Sequence, residues 1–115
     1  MEPSTVVTVA LGGLVLWQLS RTMMGKVPPA RAHALVEAGA KLVDVRTKAE
    51  HAGGHIDGSI NIPVSELSSR ASELGDKAKP VVVYCASGAR SASAKGILRR
   101  AGFTDVHDLG SIARW

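Results

Sequence analysis

Residues Val81-Val82-Val83-Tyr84 form an unbroken, β-rich apolar run. Pro80 opens it, and the chain's only cysteine, Cys85, follows directly. A small-residue loop, Ala86-Ser87-Gly88-Ala89-Arg90, then leads into a helix-compatible stretch from Ser91 to Ala101, stopped at Gly102. Strand, short loop and helix in that order restrict the chain to units in which a helix packs back on a sheet. The alternation recurs. Pro28-Pro29 opens a short helix over 31–38 that stops at Gly39, and Lys41-Leu42-Val43-Asp44-Val45 reads as a buried strand. Thr47 and Glu50 have capping-box spacing, and 53–58 is a turn-rich loop. Ser59 to Ile62 reads as a short strand ended by Pro63. The pattern predicts a helix from Val64 to Leu74, capped by Ser65 and stopped at Gly75. A last strand follows over 104–108, then a tail from Gly110 to Trp115. The expected fold is α/β, a small parallel sheet with helices on both faces.

Ligands of such sheets sit at the carboxyl ends of the strands, and Cys85 falls at one. There the free amides of a loop and the positive end of a helix dipole converge, which suits an anion and stabilises a thiolate. The thiolate is the nucleophilic form of cysteine. Free cysteine is also among the most buried residue types, so this segment alone leaves a structural role open. Arg90 either attracts an anion or closes a structural ion pair. Ser87 either donates towards the sulfur or turns the loop.

Other chemistries lack support. One cysteine excludes an internal disulfide and suits a reducing compartment. His33, His51, His55 and His107 have no CxxC partner, so no metal is expected. The net charge of +4 comes without a long basic run or interleaved aromatics, which argues against nucleic acid. Mild basicity fits a small anionic substrate. No phosphate-loop, dinucleotide or GxSxG motif is present, and no cofactor is expected.

The N-terminus is a separate unit. Residues 3–20 are uncharged, about 27 Å of helix against a bilayer core of about 30 Å. Trp17 and Gln18 lie near one end, where the membrane meets water. A signal peptide would want basic residues where Glu2 stands, and a core helix would be striped rather than apolar all round. The expectation is one transmembrane helix within 1–24, crossing the lipid bilayer through residues 4–20, then a linker over 25–29 and a domain over 30–115. Arg21, Lys26 and Arg31 on the far flank put that domain on the cytoplasmic side of the inner membrane.

Three blocks in one order carry a resemblance. Leu42-Val43-Asp44-Val45-Arg46 is followed by Glu50, then by the stretch from Gly54-His55-Ile56-Asp57-Gly58 to Ile62-Pro63, then by Val83-Tyr84-Cys85-Ala86-Ser87-Gly88-Ala89-Arg90-Ser91. Together they resemble the signature blocks of single-domain rhodaneses, from about Val27 to Trp115. The resemblance implies a small α/β domain and sulfurtransferase activity through a cysteine persulfide. It implies that Cys85 carries the sulfur, that Ala86, Ser87, Gly88, Ala89 and Arg90 form the substrate-binding loop, and that Asp44 and Arg46 support the site. Related cell-cycle phosphatases have five residues between cysteine and arginine, whereas this chain has four, which suits a compact sulfo group. The tail departs from the family, because Gly110 precedes Ser111 rather than a second glycine. The expected function is a membrane-anchored sulfurtransferase that moves sulfur from a small anionic, thiosulfate-like donor to a thiophilic acceptor. The alternative is a sulfur-carrier or docking module that hands persulfide sulfur to a membrane-associated protein partner.

Overall fold

A computed structural model describes residues 25–115. The helix expected over residues 4–20 lies outside the described residues. Among those described, no helix is long and apolar enough to cross a membrane.

The elements follow the expected alternation. Helix α1 is Pro29–Glu37, strand β1 Lys41–Asp44, helix α2 Lys48–Ala52 and strand β2 Ile60–Asn61. Helix α3 (Val64–Arg70) tightens into a 3-10 turn over Ala71–Leu74. Strand β3 is Val81–Cys85, helix α4 Ala89–Arg100 and strand β4 Val106–Ser111, and a 3-10 turn at Ile112–Arg114 follows. The strands lie in the order β2-β1-β3-β4, and every pairing is parallel.

Strand alternation divides the core in two. Val81, Val83 and Cys85 pack with Leu67, Leu98 and Phe103 beneath α3 and α4. Val82 and Tyr84 turn the other way, towards Ala32 of α1, Leu42, Ile56 and Leu109. All five residues of β3 are buried, the mark of a central strand covered on both faces.

Several local expectations shift. Thr47 caps α2 in the expected capping box. Ser65 does not cap α3; Pro63 holds the N-cap position, and no side-chain bond closes that end. Helix α4 starts two residues before Ser91, directly after Gly88. Strand β4 runs later than expected and takes in Gly110 and Ser111. Its register slips between Val83 and Tyr84, which pair with Asp108 and Gly110 and leave Leu109 as a bulge residue. Gly110 there has φ +85°, a conformation that side chains rarely adopt. Residues 25–29, expected as a linker, are docked on the domain. Lys26 bridges to Asp108 in parallel, Val27 N–H donates to the Asp108 carbonyl at 2.7 Å, and Pro29 begins α1.

Candidate functional site

The carboxyl ends of β1 and β3 are neighbours, with Asp44 opposite Tyr84 in register. Two groups of side chains stand there.

The first surrounds Cys85, the last residue of β3, which is buried. The Gly88 N–H donates to its sulfur at 3.0 Å. The Cys85 thiol donates to the Ser91 hydroxyl oxygen at 3.4 Å, and that hydroxyl donates to the Gly88 carbonyl at 3.1 Å. Gly88 has φ +109° and forms the N-cap of α4, so the helix starts immediately beside the thiol. Burial pushes the Cys85 thiol up. The Ser91 hydroxyl, once its proton turns from the Gly88 carbonyl to the ionised sulfur, and the amides of Ser91, Gly88 and Ser87 outweigh it and hold the thiol below its ordinary range. The hydroxyl at the sulfur belongs to Ser91, not to Ser87, whose side chain is exposed. Ala86 and Ala89 are exposed as well and form the outer rim of the loop.

Arg90, in the first turn of α4, reaches Glu50 of α2. Its two terminal nitrogens donate to the two carboxylate oxygens at 2.6 and 2.9 Å. Glu50 also accepts from Thr47 N–H and Thr47 Oγ1 within the capping box. Arg90, first among these, lowers the Glu50 carboxyl to about 2. The Arg90 guanidinium is raised chiefly by Glu50, and negative charge on Cys85 adds to the effect. The capping box thereby ties α2 to the sulfur loop across 40 residues of sequence.

The second group centres on buried Asp44. Its Oδ1 accepts from Arg46 N–H at 2.9 Å and from Arg46 Nε at 3.0 Å. Its Oδ2 accepts from Arg46 Nη2 at 2.8 Å, His51 Nδ1 at 2.9 Å and the Tyr84 hydroxyl at 3.1 Å. Because Tyr84 donates its proton to Asp44, the Ser59 hydroxyl (2.9 Å) and the Ile56 N–H (3.1 Å) donate to the Tyr84 oxygen. Arg46 Nη2 also donates to the Gly54 carbonyl at 2.7 Å, and its guanidinium lies 5.6 Å from the Tyr84 ring centre. Burial opposes the Asp44 charge, but the hydrogen bonds from Arg46 and His51 outweigh it and hold the carboxyl below its usual range. Burial raises the Tyr84 phenol. Among the described residues no buried side-chain polar atom lacks a partner, so this cluster is satisfied from within.

The structure thus brings Cys85, the 86–90 loop and Arg90 into one site. Asp44 and Arg46 stand behind it, linked through Tyr84, the residue before Cys85. Sequence reasoning missed Ser91, Tyr84, His51 and the partnership of Glu50 with Arg90. The Thr47–Glu50 spacing and the place of Glu50 among the family-like blocks hinted that Glu50 had a task, but neither pointed to Arg90. Among the described residues no group of histidine, cysteine and acidic side chains could hold a metal ion. The arrangement can hold an anionic sulfur at the start of a helix, with the Gly88 amide aimed at it and the Ser91 hydroxyl within reach.

The chain matches the family model of the rhodanese-like domain over residues 28–115. It is 38% identical over 93 residues to the thiosulfate sulfurtransferase GlpE of Pseudomonas fluorescens (strain SBW25), covering 78% of this chain and 83% of that protein. It is 43% identical over 77 residues to the uncharacterized protein YqhL of Bacillus subtilis (strain 168), covering 66% of this chain and 60% of YqhL. Among solved structures, the human single-domain sulfurtransferase TSTD1 superposes with a TM-score of 0.71 at 30% identity, over 79% of this chain and 94% of that one.

Proposed function

The chain belongs to the rhodanese-like domain family and is a sulfurtransferase; on that premise we propose that Cys85 carries sulfur as a persulfide, drawn from thiosulfate or a similar anion. One observation carries the reading: the buried thiol ends β3 at the start of α4, with the Gly88 N–H donating to its sulfur at 3.0 Å, a setting that lowers the thiol although burial opposes this. The Cys85 thiolate attacks the outer sulfur of the donor. A bond forms from Cys85 Sγ to that sulfur, the sulfur–sulfur bond of thiosulfate breaks, and its electron pair leaves with sulfite. The persulfide anion lies among the amides that held the thiolate. A thiophilic acceptor then attacks the terminal sulfur, and the electron pair of the breaking bond returns to Cys85. Two displacements in sequence give ping-pong kinetics. Arg90 contributes positive charge beside the loop while Glu50 fixes its orientation.

The same proposal places residues 4–20 across the inner membrane and the domain in the cytoplasm. It rests on the uncharged length of that segment and on Arg21, Lys26 and Arg31 beyond it. Confinement at the membrane also supports a carrier role, in which the acceptor is a membrane-associated protein.

Intact-mass measurement tests the chemistry. Thiosulfate should add one sulfur atom to the protein, and cyanide should remove it. No added sulfur would refute the persulfide. Rapid turnover with thiosulfate and cyanide supports the enzyme, whereas persulfide formed once and passed slowly to cyanide supports the carrier. Recovery of the full-length protein in the soluble fraction, or labelling of Cys85 by an impermeant reagent from outside intact cells, would overturn the anchored, inward-facing arrangement.

A further inference from the structure

Gly88 supplies the amide that faces the Cys85 sulfur, and glycine is the residue least able to hold a direction by itself. Its carbonyl accepts the Ala92 N–H of α4 at 3.2 Å, as the first turn of the helix requires, and two side chains besides. Ser91 Oγ donates to it from within α4 at 3.1 Å. Lys26 Nζ donates to it at 3.2 Å from a segment 62 residues earlier in the chain. The same ammonium meets Asp108 Oδ2 at 2.6 Å, and Asp108 Oδ1 accepts the Gly110 N–H at 2.8 Å. Asp108 is buried, so its carboxylate needs this partner. The backbone beside Lys26 is fixed too, through its bridge to Asp108 and the bond from Val27 N–H. Lys26 is therefore anchored at both main chain and side chain. The lysine side chain passes over Gly88 and Gly110, whose positive φ values of +109° and +85° favour glycine at both positions.

We propose that Lys26 is a positioning residue of the sulfur-carrying loop: by holding the Gly88 carbonyl it fixes the Gly88 peptide units so that the amide already points at the sulfur. The inference deepens the persulfide reading and rests on it for its function. A donor aimed in advance stabilises charge without reorganising when the charge develops, and an unrestrained glycine lacks that advantage. Lys26 lies two residues ahead of the stretch that the family model covers, so the family match does not account for this contact. By flank charge alone, Lys26 is a topology signal next to an apolar segment. The structure gives it a partner at the thiol loop.

Alkylation by iodoacetamide tests this in the full-length protein, because the chain's one cysteine makes every adduct a Cys85 adduct. Lys26→Met should raise the midpoint of the rate–pH profile and slow alkylation at neutral pH about tenfold, the loss of roughly one charge-assisted hydrogen bond. Lys26→Arg should restore most of the rate. The double variant Lys26→Met/Asp108→Asn leaves no buried carboxylate unpaired, so it should fold and remain slow. A profile in either folded variant that superimposes on the parent's would overturn the proposal. Failure of both variants to fold would also overturn it, in favour of a purely architectural strap. Alkylation requires no sulfur donor. A protein that never forms a persulfide yet shows the shifted profile would therefore sink the sulfur-carrier reading and leave this one standing.

Discussion

Asp44 and Cys85 end neighbouring strands of one sheet, yet their surroundings follow opposite rules. The carboxylate of Asp44 is buried among side chains that satisfy it completely, namely Arg46, His51 and Tyr84. Cys85 is met mainly by main-chain amides of a short loop, one hydroxyl and the start of a helix. A cluster that uses all its donors internally has none to offer a substrate, and it rigidifies the ground it occupies. A loop made of amides has little besides direction to contribute and must be held by something else. Asp44 and Arg46 hold it on one side, reaching β3 through Tyr84. The Glu50–Arg90 pair and Lys26 hold it on two others.

The sharpest way to break the comparison is to remove the sulfur. Cys85→Ser should lower thiosulfate-dependent sulfur transfer by about a thousandfold or more and leave urea unfolding nearly unchanged. Substantial retained activity would mean that the loop does not do the chemistry.

The opposite separation is expected from Asp44→Asn. It leaves the Arg46 guanidinium buried without its counter-charge, at a cost of about 3–5 kcal/mol in urea unfolding. The fraction that remains folded should keep most of its kcat. A folded variant without activity would put Asp44 into the chemistry and erase the distinction between the two regions.

Arg90 sits between the regions, and two variants decide which it serves. Arg90→Ala should lower kcat/KM for thiosulfate by about tenfold, whereas Glu50→Gln, which keeps Arg90 but loosens its anchor, should cost only about threefold. Equal losses would assign Arg90 to structure alone.

Acid separates the regions with the smallest effect near neutrality. The folded Asp44 carboxyl titrates below its unfolded value of about 3.9, so its contribution to stability is complete above that pH and is lost as pH falls through the folded value. The Cys85 thiol, despite its burial, is also depressed by its hydrogen bonds, so its alkylation rate should reach half-maximum below the ordinary thiol value of 9.0. A midpoint above that value would show that burial wins at the sulfur. Loss of structure setting in well above pH 4 would show that Asp44 is not the weak point in acid.

The Cys85 loop was legible in the sequence because its determinants are contiguous: a β-rich run, small residues and a helix-forming segment. The alternation of elements was legible for the same reason. Of the Asp44 cluster, only the Asp44–Arg46 pair was, through the family resemblance. His51 and Tyr84 meet Asp44 only through strand register and the return of α2, and the contact with Tyr84 spans 40 residues. Strand β4 runs past its expected end because its bulge exists only in the pairing with β3, where Tyr84 meets Gly110 and skips Leu109. Ser65 looked like a cap by residue type, but Pro63 has the extended ψ and the fixed φ that open a helix, and it comes first.

The docked N-terminal stretch has a further consequence at the borders of the sheet. A bare strand edge invites another chain to add itself, the first step towards swapping and aggregation. One border here is β2, two residues long and flanked by Pro63. The other is β4, where the bulge interrupts the ladder and Lys26 and Val27 already occupy Asp108. Among the described residues, neither border is a long uninterrupted edge. A truncated chain that began at Pro28 would keep every residue of the family match but uncover that part of β4. Its solubility at high concentration, more than its activity, would then reveal how much those two preceding residues guard.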